Sequence, residues 1–200
     1  VTRAKAKAAL VKAKREQPKK EDSNDDASKS DEKESPVSDN TVQKVSASLA
    51  AKFPKSLDGE QNSDWIQLKP ENWFEIAKWL KDNPDFYFDS LQCNTGFDLG
   101  EGFLESRYNL HSMMHLHSIE IRIKVSVEKP DIPSIESIWR VADWFERETY
   151  DMFGINFTGH SDLRRILLPE DWEGWPLRKD YEEQETYHGI VVPKVKEGWE

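Results

Sequence analysis

From His117 to Val127 the chain alternates without a break: Ile119, Ile121, Ile123, Val125 and Val127 are apolar, and Glu120, Arg122, Lys124 and Ser126 between them are polar. Successive side chains of a strand point to opposite faces, so this period of two describes a strand with one buried and one wet face. Such a strand cannot stand alone. It needs hydrogen-bonded neighbours and a second layer over its apolar side.

The neighbours are legible nearby. Phe103–Leu110 reads as a second strand, with Leu110–Leu116 as the hairpin connection, and Asp85–Cys93, rich in Phe, Tyr and Leu, reads as a third. Two helical patterns supply the covering layer. Lys69–Asn83 sets Trp73, Phe74, Ile76, Ala77 and Leu80 on one stripe; Pro70 suits its first turn and Asn83-Pro84 ends it. The other starts after Ser134, a suitable N-cap, carries Ile135, Ile138, Ala142, Phe145, Thr149 and Met152 with Trp139 and Phe153 flanking, and stops at Gly154. Helices and strands do not alternate, which disfavours a doubly wound parallel sheet. The pattern predicts an α+β fold: a mainly antiparallel sheet with helices packed on one face.

The two ends differ in composition. Residues 1–20 carry eight Lys or Arg and one acid, residues 21–40 carry eight acids and two lysines, and no aromatic residue precedes Phe53. Too little apolar surface is present there to offset ordering entropy, so residues 1–45 are expected to be a disordered charged tail, with Ala4–Arg15 able to form a transient helix. The α+β domain is expected over 46–154. From Ile155 no period holds for long, and Pro169, Gly174 and Pro176 break regularity. Residues 155–200 are expected to form an extended C-terminal docking arm, with Val191, Val192 and Trp199 as anchors.

Several chemistries are disfavoured at once. A net charge of −10 argues against nucleic acid as a partner. No run approaches the roughly 18 apolar residues of a membrane span, so membrane contact is expected only through another protein. The single cysteine, Cys93, cannot form an internal disulfide or build a zinc or iron–sulfur site alone. Gly96, Gly100 and Gly102 lack the strand–turn–helix setting of a phosphate loop and read as a turn. His111, His115 and His117 invite a metal reading, but no carboxylate is fixed beside them, and hairpin-end histidines are the simpler account. Glu146 and Glu148 lie two apart on a helix and so do not face each other as an acid–base pair; Arg147 with Asp143 or Asp151 is the better-spaced pairing.

The segment Trp139–Tyr181 is dense in charge, and Trp172 and Trp175 lie between the basic pairs Arg164-Arg165 and Arg178-Lys179. Arginine and tryptophan are the types most enriched at binding hot spots, and a long irregular segment cannot bury itself well in a small domain. Residues and composition therefore point to a partner-docking arm, with a loop closing over its own domain as the alternative.

Within it, ERETYDMFGINFTGHSDLRRILLPEDW continuing EGWPLRKDY closely resembles the signature of the C-subunit family of bacterial NADH-quinone oxidoreductase, respiratory complex I, whose chloroplast-type counterpart is the J subunit. The resemblance covers roughly Phe103–Tyr181 and departs at Ser161, where the family usually has proline after the histidine. It implies a non-redox subunit of the peripheral arm, in a hetero-oligomer with subunits D, B and I, on the cytoplasmic side of the bacterial inner membrane. It implies no catalytic residue, cofactor or metal in this chain, with FMN and iron–sulfur clusters held by partner subunits that pass electrons from NADH to quinone. It also implies that Glu146, Arg147, Glu148, Asp151, His160, Asp162, Arg164, Arg165, Trp172, Arg178, Lys179 and Asp180 serve the subunit interface. A homologous small subunit of a membrane-bound hydrogenase-type complex is the alternative.

Overall fold

A computed structural model describes residues 38–59 and 62–192, so the expectations for residues 1–37 and for Trp199 lie outside the described residues. Among the described residues, three helices, α1 (Ser38–Lys52), α2 (Trp73–Asp82) and α3 (Ala142–Phe153), accompany a four-stranded sheet made by β1 (Trp65–Leu68), β2 (Ser90–Gly100), β3 (Phe103–Ser112) and β4 (His117–Ser126). The order across the sheet is β1-β4-β3-β2. β2, β3 and β4 are antiparallel, and β1 joins β4 in parallel. The alternation of β4 buries Ile119, Ile121, Ile123 and Val125 against Leu104, Tyr108 and Leu110 of β3. The fold is α+β with a mostly antiparallel sheet, as the patterning requires.

α1 is a helix the composition conceals. Val42, Val45 and Leu49 recur at helical spacing and are buried as it packs on β4 and β1, so the expected tail boundary at residue 45 falls inside an ordered element. Only a narrow apolar stripe is needed to seat it, and the polar residues around that stripe lower the window average.

α2 is preceded by a 3-10 turn, Pro70–Asn72, and buries Trp73, Ile76, Ala77 and Leu80; Phe74, expected on the same stripe, is exposed. The strand expected at Asp85 begins instead at Ser90. Phe86 and Phe88 are buried two apart and imitate a strand, but their amides bond back to Asn83 and Leu80 as the chain turns out of α2. Gly96, expected in a turn, sits within β2, where a Cβ would lie 2.5 Å from the Phe153 ring; the absent side chain lets α3 pack closely on β2.

The helix expected from Ser134 starts later, at Ala142. Ser134 does cap, its Oγ accepting the Glu136 N–H while its hydroxyl donates to Glu146, but the turn it opens, Ile135–Trp139, stays separate from α3. Beyond Gly154 the chain is not yet free. Ile155 and Phe157 are buried, and β6 (Asn156–Thr158) pairs in parallel with β5 (Asp131–Pro133). The irregular segment starts at Gly159, and a two-stranded ribbon of β7 (Thr186–Tyr187) and β8 (Ile190–Val191) closes the described chain.

Candidate functional site

Residues 159–181 form a strap with no ladder of its own. Three carboxylates of the domain, Asp151, Asp98 and Glu136, accept its backbone N–H groups, and its own Arg178 reaches back to the domain. Asp151, on the last turn of α3, is the chief of them. Its Oδ2 accepts the N–H groups of Ile166, Leu167 and Leu168 at 3.0, 2.7 and 2.9 Å. Its Oδ1 accepts from Arg165 at 2.7 Å, and the same guanidinium reaches the Asp151 carbonyl and, at 2.9 Å, that of Gly174. Burial alone would raise this carboxyl. The bonds from Leu168 and Leu167, the Arg165 guanidinium and the Ile166 N–H outweigh it and hold the group below its ordinary value. A carboxylate that accepts several N–H bonds acts here as the nucleus of a loop.

Three further pins follow. Arg178 donates to the Phe153 carbonyl at 2.6 Å, satisfying an orphan acceptor at the end of α3. Asp98 of β2 accepts the Lys179 N–H at 2.8 Å. Glu136 accepts the Ser161 N–H at 3.1 Å. Gly154 makes the tight passage possible: it has φ +71, and a Cβ there would stand 2.5 Å from the Trp175 ring and 2.7 Å from the Arg178 guanidinium. Trp175 packs edge-on to Tyr150 and stacks under Arg165.

At the root of the strap the His160 ring is fully enclosed among carboxylates. Glu136 Oε2 is 3.1 Å from Nδ1, and Asp143 Oδ1 is 3.6 Å from Nε2. Each of these three residues offers one ligand atom within 4.8 Å of the others, and the shortest carboxylate contacts fall on different ring nitrogens. Glu146 is buried behind them, accepting the Ser134 hydroxyl at 2.5 Å and the Ile135 N–H at 2.8 Å. Burial raises Glu146 to about 7, the two bonds oppose that rise, and the charges of Glu136 and Asp143 add to it.

The charged residues expected at an interface thus divide. Glu146, Asp151, His160 and Arg165 are used within the chain. Arg147 does not pair with Asp151; it lies over Trp144 and donates to the Arg164 carbonyl at 3.3 Å. Trp172 donates to the Tyr181 hydroxyl, Lys179 is held by its backbone, and Arg178 by its guanidinium. Asp162 and Arg164 form an exposed pair at 2.9 Å, Glu148 lines a groove between α3 and β2, and Asp180 an open groove beside Trp175. His115 and His117, weighed as metal ligands, each direct Nε2 to a backbone carbonyl, of Pro84 and Phe86. Asp98 and Glu136 had no signal in the sequence, because each meets the strap across a long chain separation.

The family model of the respiratory-chain NADH dehydrogenase 30 kDa subunit matches residues 66–187, which takes in the sheet, α3 and the whole strap. The chain belongs to this family. Among its relatives, the C subunit of NADH-quinone oxidoreductase from Chloroherpeton thalassium is 49% identical over 122 residues, covering 60% of this chain and 51% of that protein. The protein of the same name from Chlorobium phaeobacteroides is 48% identical over 128 residues, covering 63% of this chain and 77% of that protein. The chain thus spans about half the length of the first relative. Among solved structures, a trypsin-resistant fragment of Nqo5 is 27% identical with a TM-score of 0.50, covering 60% of this chain and 98% of that fragment. The family match takes in α2 and α3, and α1 lies outside it. Among the described residues, no helix is long and apolar enough to cross a membrane.

Proposed function

We propose that this chain is a non-redox structural subunit in the peripheral arm of a proton-pumping NADH-quinone oxidoreductase, and that its strap is the surface on which partner subunits seat. The carrying observation is how the strap is held. Polar bonds fix its backbone to the domain, while Leu167 and Leu177 remain 61% and 55% exposed, as does Trp144 of α3 at 59%. A segment fastened by its main chain presents its apolar side chains outward in a set geometry, as a docking surface requires. The exposed Asp162–Arg164 pair adds polar specificity to that surface. Partners D, B and I, FMN and iron–sulfur clusters carried by neighbours, and attachment to the cytoplasmic face of the inner membrane through the complex belong to the same reading.

Affinity purification of the tagged chain from solubilised membranes tests it. Subunits D, B and I co-purify with the chain if the reading holds. Recovery only as a free monomer overturns it, and recovery with a nickel-ligating large subunit assigns the chain to a hydrogenase-type complex instead.

A further inference from the structure

The four-stranded sheet has two edges, and the fold treats them differently. At the β1 edge the chain covers itself. Lys69 donates its N–H to the Ser56 carbonyl at 2.8 Å, Asp58 donates to the Gln67 carbonyl at 3.1 Å, and Leu57 bridges Leu68. The opposite edge is β2, and among the described residues no backbone pairs with its outer side. A strand with one antiparallel neighbour turns alternate N–H and C=O groups away from it, so an edge strand carries a row of open donors and acceptors.

Native edges are blunted by shortness, lysine, proline or bulges. β2 is 11 residues long. Its register shifts fall near its ends, at Leu91/Cys93 and Asp98/Gly100, and residues 93–98 between them stay in step with β3 from Asn109 to Leu104. That run holds no lysine and no proline. α3 supplies a cover beside it. Phe145, Glu148, Thr149 and Met152 lie at i, i+3, i+4 and i+7, and this stripe lines a groove against residues 93–96, with Leu177 of the strap also on it. Phe145 and Met152 are half-buried, and Glu148 and Leu177 are exposed. The groove encloses about 190 Å³, below the roughly 300–1,000 Å³ of a small-molecule site, so it suits side chains rather than a cofactor.

We propose that β2 receives a fifth strand: an extended segment of a partner subunit that pairs with residues 93–98, turns apolar side chains into the groove beside α3, and sets a lysine or arginine against Glu148. The inference rests on the proposed place of this chain in a multi-subunit complex. The open backbone row requires an extended segment. Side chains on one face of such a segment recur every second residue, and those facing α3 meet Phe145, Met152 and Leu177. The exposed Glu148 carboxylate selects a basic residue among them. A second copy of this chain fits worse. Pairing β2 with β2 about a two-fold axis brings two α3 helices and two Glu148 carboxylates to the same face of the join, in chains of net charge −10 each.

The test is residue-resolved hydrogen exchange on the complex recovered with the tagged full chain. The free chain is the control, and β3 and β4 amides are the internal reference. Every second amide among residues 93–98 exchanges freely in the free chain and slows by about tenfold in the complex, because only alternate N–H groups face the added strand. Met152→Lys, which puts a charge on the apolar wall, and Glu148→Lys, which reverses the charge offered to the basic residue, return those amides toward the free-chain rate. If Met152→Lys disturbs the reference amides, Glu148→Lys is read alone, since its side chain is exposed. A photocrosslinking side chain placed at Thr95, exposed on β2, joins it to one segment of another subunit. An intact complex in which residues 93–98 exchange as in the free chain, or a crosslink to a second copy of this chain, overturns the fifth strand and leaves the subunit reading standing. Failure to recover any complex overturns both.

Discussion

The sheet and the strap hold their shape by opposite means. In the sheet, β3 and β4 pair from Phe103 with Ser126 to Ser112 with His117 without a shift, and the apolar face of β4 is almost wholly removed from water. Each such side chain contributes about 1.5–3 kcal/mol on burial, and many neighbours share the load. In the strap, one carboxylate oxygen accepts three consecutive N–H groups, and large apolar residues face outward. Distributed apolar burial tolerates the loss of one member. A charge at the centre of a polar cage does not, because its partners are left without an acceptor.

The sharpest way to break this contrast is Asp151→Ala. It strands the Arg165 guanidinium and three N–H groups, and removing one member of a buried charge pair costs about 3–5 kcal/mol. Hydrogen exchange is expected to show residues 159–181 unprotected while β3 and β4 keep their protection. Equal loss in both regions would mean that they are one cooperative unit. The same hold has a pH signature. Because the Asp151 carboxyl is lowered, its contribution is full above the ordinary carboxylate range and is lost only as pH falls through its lowered value. The cage should therefore survive mild acid.

Ile121→Ala probes the other side. It empties a site that is fully buried opposite Tyr108 and should cost about 3 kcal/mol. The denaturation midpoint of the whole domain is expected to move, with strap and sheet falling together. A strap that outlasted the sheet would break the view that it depends on the domain beneath it. Gly154→Ala acts at the junction. A residue at φ +71 with its Cβ driven into Trp175 should cost about 2 kcal/mol, read as lost protection around Trp175–Arg178. Arg164→Ala should do least to the isolated chain, under ~1 kcal/mol by thermal unfolding, since its pair with Asp162 is exposed. Its effect is expected in the amount of chain recovered with partner subunits.

How far the sequence could be read follows the same division. Elements stabilised by periodic burial are legible: β4 by alternation, α2 by its stripe of Trp73, Ile76, Ala77 and Leu80. Legibility fails where a local pattern is satisfied by something else. Phe86 and Phe88 alternate like a strand but lie in a turn that bonds to α2, and Ser134 caps a single turn rather than the long helix that follows at Ala142. α1 escapes because three buried residues suffice to seat a mostly polar helix. In the strap, spacing on a helix suggests Arg147 for Asp151, whereas the partner is Arg165, reached only after the chain reverses beyond Gly154. Family resemblance marked these residues as a set but could not say which of them face inward.

The three-to-one bonding of Asp151 also sets the rules for redesign. It grips the main chain at Ile166, Leu167 and Leu168 and leaves the identity of their side chains unspecified, proline excepted because each N–H is in use. Position 167 is therefore an open socket in a rigid mount. Exchanging Leu167 for other shapes or charges should alter what the surface recognises without moving the surface itself, so that binding specificity and loop conformation can change independently.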